Sequence, residues 1–317
     1  MTSSLQRLHE RVSNILRKAG YDVGLVSYPS GERKRSINFI AKKQNRTLLI
    51  KAIDDVDLVS ANEAKELKSL SIMFKAKGII VGEKSHKGKL EDMVIYERFN
   101  IPTITPESLD CLVKNGSIYI YAGRGGYYVR IDGKKLKELR ESRSLSLGNV
   151  AQLLGLTRKT VYEYERGCLN TTLYKAIRIM ELFGEEVLKP FNLDELEVKG
   201  NVEYPIPEET IEKEIIIRLS SKGFQVVHTK ATPIDIAAQL SSRAYRVVFA
   251  VKHRREKDMI PKVEALYKII NIIKAKAIAI VSNMDEKKNV ESLGLYAIRE
   301  DEIKRFKKAE NIIEQIT

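Results

Sequence analysis

Between Thr157 and Arg166 the chain places Thr157, Arg158, Lys159, Thr160, Tyr162, Glu163 and Arg166 close together, with Ser146 and Asn149 a few residues upstream. These groups donate and accept hydrogen bonds and carry charge, so the chemistry they suit is recognition rather than bond breaking. Arg is the side chain best shaped for two parallel hydrogen bonds to a guanine edge. The hydroxyls of Thr160 and Tyr162 are of the type that reaches phosphates. Glu163 is the odd occupant. It would repel phosphate unless it accepts a hydrogen bond from a cytosine or adenine amino group, or holds Arg158 or Arg166 in place.

Short helices must position this set. Leu147, Val150, Ala151 and Leu154 fall on one helical face, and Val161 with Tyr164 make the buried face of a second helix. Gly155-Leu156-Thr157 lies between them. A Gly stops the first helix and a Thr caps the next. Two helices joined so tightly predict a helix-turn-helix, whose second helix puts its N-terminal residues in a major groove.

The stretch Ile131–Phe183 resembles the phage-repressor-like (Xre) helix-turn-helix family. The resemblance rests on the turn, on Asp132-Gly133-Lys134-Lys135-Leu136-Lys137-Glu138-Leu139-Arg140-Glu141 as a first helix capped by Asp132, on Leu173–Phe183 as a fourth, and on Glu165-Arg166-Gly167. It implies an all-α DNA-binding module in which Arg158 and Lys159 read bases or contact phosphates. Leu147 departs from the family, which often has Gln there.

The whole chain, 317 residues long, has room for two or three domains. Its formal charge of +13 makes nucleic acid the first partner to consider, ahead of anionic lipid. Cys111 and Cys168 lie far apart without a Cys/His cluster, which argues against structural zinc or a disulfide framework. The first residues lack a signal-peptide core and no apolar run reaches membrane-spanning length. A cytoplasmic, nucleoid-associated protein is expected.

Either side of the module an α/β pattern recurs. The first copy reads as a helix (Leu5 to Lys18), strands at Tyr21–Tyr28, Ser36–Ala41 and Thr47–Ile53, a helix at Ala61–Lys77, a buried strand at Gly78–Gly82, then a helix end around Tyr96–Asn100 feeding a last strand. Glu209–Lys222, Phe224–His228, Ile234–Leu240, Tyr245–Lys252, Lys262–Lys274, Ala277–Val281 and Leu295–Ile298 repeat the order. The predicted domains are an α/β unit at 1–116, a β-hairpin connector at 117–131, the helix-turn-helix at 132–189, an acidic, Pro-punctuated linker at 190–207 (Asp194, Glu195, Glu197, Pro205, Pro207), and a second α/β unit at 208–317.

Both α/β units resemble the restriction-endonuclease-like fold, and within it the archaeal Holliday-junction resolvases, on Ile234-Asp235-Ile236 and Val247-Val248-Phe249-Ala250-Val251-Lys252. In that fold an Asp and a second carboxylate hold Mg²⁺ and a Lys helps to position or activate water. Here Asp235 and Lys252 are kept, but Ala250 stands in the second carboxylate's place. In the first copy Asn38 replaces the Asp and Leu49 the acidic residue, leaving Lys51. The resemblance therefore implies degenerate nuclease-like domains, with no cofactor, metal or catalytic residue. Glu212 or Glu264 would be the shifted ligand if a metal site survived. Lys51, Lys252, His253, Arg254 and Arg255 are expected as basic surface. The resulting expectation is a homodimeric, sequence-specific transcriptional regulator of double-stranded DNA, without membrane association. A structure-selective, metal-dependent nuclease and a chromosome-architectural protein are the competing readings.

Overall fold

Ser3 caps α1 (Ser4–Lys18) by accepting a hydrogen bond from the Gln6 amide, and Leu5, Leu8, Val12 and Leu16 line the face that the first sheet covers. Val12 and Leu16 are fully buried, and each such side chain contributes about 1.5–3 kcal/mol on leaving water. The computed structural model describes residues 3–31, 34–194, 196, 207, 210–240, 245–254 and 256–303. The expected linker residues Glu195, Glu197 and Pro205, and Arg255 of the basic run, lie outside them.

After Gly20 come β1 (Asp22–Leu25), β2 (Phe39–Lys43) and β3 (Arg46–Ala52), then α2 (Ala61–Phe74) and β4 (Lys77–Val81). A capping box between Ser60 and Glu63 starts α2. The short pair β5 (Lys84–Ser85) and β6 (Gly88–Lys89) precedes β7 (Val94–Arg98), β8 (Ile101–Ile104) and α3 (Pro106–Val113). The expected helix end at Tyr96–Asn100 is corrected here to a β-hairpin. β7 and β8 pair antiparallel, and Phe99 and Asn100 turn between them at φ +51° and +57°, as a two-residue hairpin turn requires.

Next follow β9 (Ile120–Gly123), β10 (Gly126–Ile131), α4 (Gly133–Ser142), α5 (Leu147–Leu154), α6 (Arg158–Glu165), β11 (Asn170–Thr172), α7 (Leu173–Phe183) and β12 (Leu188–Lys189). The β9–β10 hairpin is more than a connector. β9 pairs with β7 and β10 pairs with β11 and β12, so one ten-stranded sheet runs from the first α/β unit into the helical module.

The second unit comprises α8 (Thr210–Ser220), β13 (Gln225–His228), β14 (Ile236–Leu240), β15 (Tyr245–Val251), α9 (Ile260–Ile273), β16 (Lys276–Val281), α10 (Met284–Ser292) and β17 (Tyr296–Arg299). Its sheet order, β13-β14-β15-β16-β17, matches β1-β2-β3-β4-β8 strand for strand, with two antiparallel ladders followed by two parallel ones. The two halves pack reciprocally. α2 lies on β13 and β14 while α9 lies on β1 and β2, and Leu67, Leu70 and Phe74 share one core with Val227, Ala237, Leu266 and Ile269. Gly24 marks the closest approach, because a Cβ there would come within 2.7 Å of Ile272 Cδ1. Among the described residues no helix is long and apolar enough to cross a membrane.

Candidate nucleic-acid interface

Local sequence builds α5 and α6 almost unaided. Ser146 caps α5 in a reciprocal box with Asn149, whose Oδ1 accepts the Ser146 amide at 2.9 Å while Ser146 Oγ accepts the Asn149 amide at 3.1 Å. Gly155 ends the helix at φ +63°, open to Gly at little cost. Thr157 then caps α6 by accepting the Thr160 amide at 3.1 Å. Val150, Ala151, Leu154, Val161 and Tyr164 join Leu136, Ile179 and Phe183 in the module's core, with Leu147 packed against it.

A charge pair that the sequence did not announce fixes α6 against α4. Arg140 reaches both carboxylate oxygens of Glu165, Nε to Oε1 at 2.5 Å and Nη2 to Oε2 at 3.0 Å. The side chains are 11% and 6% exposed. Gly133 lets the start of α4 approach, since a Cβ there would sit 2.4 Å from the carbonyl oxygens of Tyr164 and Glu165.

The outward face of α6 carries Arg158, Lys159, Tyr162 and Arg166, all exposed, with Glu163 and Thr160 half-buried. Thr157 and Thr160 hydroxyls lie 2.9 Å apart and engage each other. Glu163 pairs with Arg166 at 3.8 Å rather than with Arg158, and the Arg166 guanidinium lies 5.6 Å from the Tyr162 ring centre. Arg158 extends over the first turn of α5, where a Cβ on Gly148 would meet its Nε at 2.9 Å. A Cβ at position 148 would therefore displace the Arg158 guanidinium, a contact without a signal in the sequence. Replacing Gly148 should separate folding from recognition. We expect Gly148→Ala to stabilise α5 by about 0.5 kcal/mol yet weaken DNA binding by up to about tenfold as Arg158 is displaced, measured by denaturation and fluorescence anisotropy side by side.

The nuclease-like positions lie elsewhere, within the paired halves. Asn38 Oδ1 accepts the Ala52 amide at 2.9 Å and Asp235 Oδ2 accepts the Val251 amide at 2.6 Å, so Asn38 and Asp235 are equivalent. The strand registers Phe39↔Ile50 and Ile236↔Phe249 then place Lys51 level with Ala250 and Ile53 level with Lys252. This corrects the expected alignment of Leu49 with Ala250 by two residues. Neither lysine is basic surface. Lys51 is fully buried with Nζ on the Arg35 carbonyl and on Glu63 Oε1 at 2.7 Å, while Lys252 Nζ pairs with Glu286 at 3.0 Å. Of the basic run Arg254 is exposed.

Glu212, and not the exposed Glu264, comes to Asp235. One atom each from Glu212, Asp235 and His253 lies within 4.8 Å of the others. His253 Nε2 is 3.0 Å from Glu212 Oε1 and 3.5 Å from Asp235 Oδ1, and His228 Nε2 is 3.1 Å from Glu212 Oε2. Burial would raise the Glu212 pKa, but hydrogen bonds from both imidazoles outweigh it and bring it down to about 2. The divalent cation implied by the nuclease fold does not fit between Asp235 Oδ2 and the Val251 carbonyl. Lys262 Nζ already sits 2.7 Å from Asp235 Oδ2 and 2.8 Å from the Val251 carbonyl, so a divalent charge on Asp235 would face a fixed ammonium.

The same cluster gives a pH dependence. The hydrogen bond to Glu212 raises the His253 pKa above its ordinary 6.5, against burial and the Lys262 charge and with help from Asp235. A raised folded-state value contributes stability that is full below 6.5 and lost as pH rises through it. The stability gap between the wild type and His253→Gln should therefore be about 1–2 kcal/mol at roughly pH 5.5 and shrink at roughly pH 9, read by urea denaturation at both values.

Comparison with known proteins bears on both parts of the chain. A PD-(D/E)XK superfamily domain model matches residues 5–118 and a helix-turn-helix model matches residues 136–188. No solved structure matches. Proteins named "Putative HTH-type transcriptional regulatory protein" are similar over most of their length. The one from Pyrococcus abyssi is 33% identical over 83% of this chain and 83% of its own, and the one from Thermococcus kodakarensis is 32% identical over 98% and 95%. That from Archaeoglobus fulgidus is 32% identical over 93% and 92%. With a PD-(D/E)XK superfamily domain followed by a helix-turn-helix, and identity of this extent end to end, the chain belongs to this archaeal family of HTH-type transcriptional regulatory proteins.

Proposed function

We propose that the protein is a sequence-specific DNA-binding transcriptional regulator that reads bases with α6. The observation that carries this is the exposed cationic face of a firmly capped second helix, on which Arg158, Lys159 and Arg166 outnumber the single carboxylate of Glu163. Arg158 is the base reader, Lys159 and Arg166 are the phosphate contacts, and Tyr162 offers a hydroxyl at the groove wall. Asn149 and Ser146 hold their Oδ1 and Oγ in the capping box, which leaves the Asn149 amide nitrogen for a backbone oxygen. The names carried by the archaeal relatives point the same way.

The working form is a homodimer in the cytoplasm, bound at the nucleoid. One module of this size covers little DNA, and two half-sites about one helical turn apart raise affinity steeply. The nuclease-like halves pair with each other inside one chain through α2 and α9, so the second copy docks on other surfaces. We read the halves as a non-cleaving platform and the protein as no enzyme. The nuclease reading draws on Glu212, Asp235 and His253, and the Lys262 ammonium beside them opposes it. Selection of binding sequences from a random duplex pool, followed by incubation with Mg²⁺ or Mn²⁺, tests both readings. We expect an enriched two-fold motif and intact DNA; no enrichment would overturn base reading, and cleavage lost on Asp235→Ala would overturn the non-enzyme reading.

A further inference from the structure

A buried charge cluster of the second half stands where the fold would keep a metal, and its centre is an ammonium. Lys262, the third residue of α9 and only 1% exposed, donates to Val251 O at 2.8 Å, to Asp235 Oδ2 at 2.7 Å and to Glu256 Oε1 at 3.1 Å. Two carboxylates and one backbone carbonyl around a cation are an oxygen-ligand set of the kind that hard cations take. Glu256 is further held by the His253 amide at 3.0 Å and by the Tyr28 hydroxyl of the first half. The Tyr28 ring centre lies 5.4 Å from Lys262 Nζ, so the first half closes the cluster with an aromatic face.

The first half repeats the arrangement with its charges exchanged. Lys51 occupies the strand position level with Ala250, and its partner Glu63 is the third residue of α2, as Lys262 is of α9. The second half reaches back as well. Glu66 accepts the Lys230 and Ala231 amides at 2.7 and 3.1 Å, and Ser36 donates its amide to Ala231 O at 3.0 Å.

We propose that Lys262 is the resident cation of the second half, a tethered replacement for a divalent metal ion, and that the cluster it organises interlocks the two halves through Tyr28. This rests on the reading of the halves as non-cleaving and is independent of base reading by α6. Burial alone would lower the Lys262 pKa, but the Asp235 and Glu256 carboxylates outweigh it and hold the amine charged. The ammonium neutralises Asp235 where a metal would have done so, which removes any need for the second carboxylate at Ala250. Removing the ammonium should therefore expose a latent cation site of Asp235, Glu256 and the Val251 carbonyl, with Glu212 and His253 beside it.

The test compares the full-length wild type with Lys262→Ala, and with a Lys262→Met/Asp235→Asn double variant that deletes both charges at similar volume. Bound Mn²⁺ is read by electron paramagnetic resonance, and melting temperature is read with Mn²⁺ or with EDTA. The wild type should bind no Mn²⁺ and melt at the same temperature in both. Lys262→Ala should melt about 10 °C lower, gain bound Mn²⁺ and recover part of the loss with it. The double variant should melt closer to the wild type than Lys262→Ala does and ignore Mn²⁺. The proposal is overturned if the wild type binds Mn²⁺ through Asp235, or if Lys262→Ala melts like the wild type. If Lys262→Ala is insoluble, the wild-type and double-variant results decide: a wild type blind to Mn²⁺ with a soluble double variant upholds the proposal, and an insoluble double variant overturns it. Anisotropy with a selected duplex, run on the wild type in EDTA, reports separately on base reading.

Discussion

Arg158→Ala combined with Lys159→Ala is expected to weaken specific DNA binding by about 100-fold or more while leaving the fold intact. Loss of a bidentate Arg contact to a base costs about 1–3 kcal/mol, and each 1.4 kcal/mol is tenfold in affinity. With Lys159 in its proposed place on a phosphate, its removal should also lower the slope of log affinity against log salt by about 1. Both side chains are exposed, and surface substitutions of this kind stay within about 0.5 kcal/mol in stability. Anisotropy titrations at three salt concentrations, with a melting curve for each variant, check the two halves of the expectation. A variant that kept its affinity would remove α6 from the interface.

The second large effect concerns what holds α6 in place. Glu165→Ala should cost the helical module about 3 kcal/mol, because it removes both Glu165 bonds from the Arg140 guanidinium and leaves it only the Leu145 carbonyl at 3.0 Å and the exposed Glu141 carboxylate at 3.3 Å. The value belongs at the lower end of the range for buried pairs, since Arg140 keeps an edge toward solvent at 11% exposure. Gly133 brings the start of α4 against the same end of α6, so the loss falls on the orientation of α6. Hydrogen exchange should show α4 and α6 opening faster, with the β13–β17 sheet unchanged. Uniform protection in the variant would contradict a clamping role for the pair.

These expectations combine what local sequence encodes with what only the fold supplies. The caps Gly155, Thr157 and Asp132 were readable because each acts within four residues, and α7 spans Leu173–Phe183 as the pattern predicts, whereas Ser146, expected as a DNA contact, turns out to cap α5. The repeat was readable from strand order, and β13-β14-β15-β16-β17 share the topology of β1-β2-β3-β4-β8 within the larger sheet. The alignment of their nuclease-like positions was not. The β2–β3 turn has two residues, between Lys43 and Arg46, whereas four separate Leu240 from Tyr245. That difference moves Lys51 from the level of Lys252 to that of Ala250.

Other features depend on partners far away in the chain. Lys262 and Glu256 take their meaning from Asp235 and from Tyr28, more than 200 residues earlier. The hairpin at Phe99-Asn100 was hidden because Phe is not a turn residue and only the paired strands impose its positive φ. The basic run at Lys252–Arg254 looked like surface, yet Lys252 and His253 are tied to Glu286 and Glu212.

Genome-wide occupancy of the tagged protein, compared with the Arg158→Ala/Lys159→Ala variant in the same host, addresses base reading by α6 most directly. The account predicts discrete sites sharing a two-fold sequence, lost in the variant. Even coverage without a shared sequence, or discrete sites that persist in the variant, would contradict it.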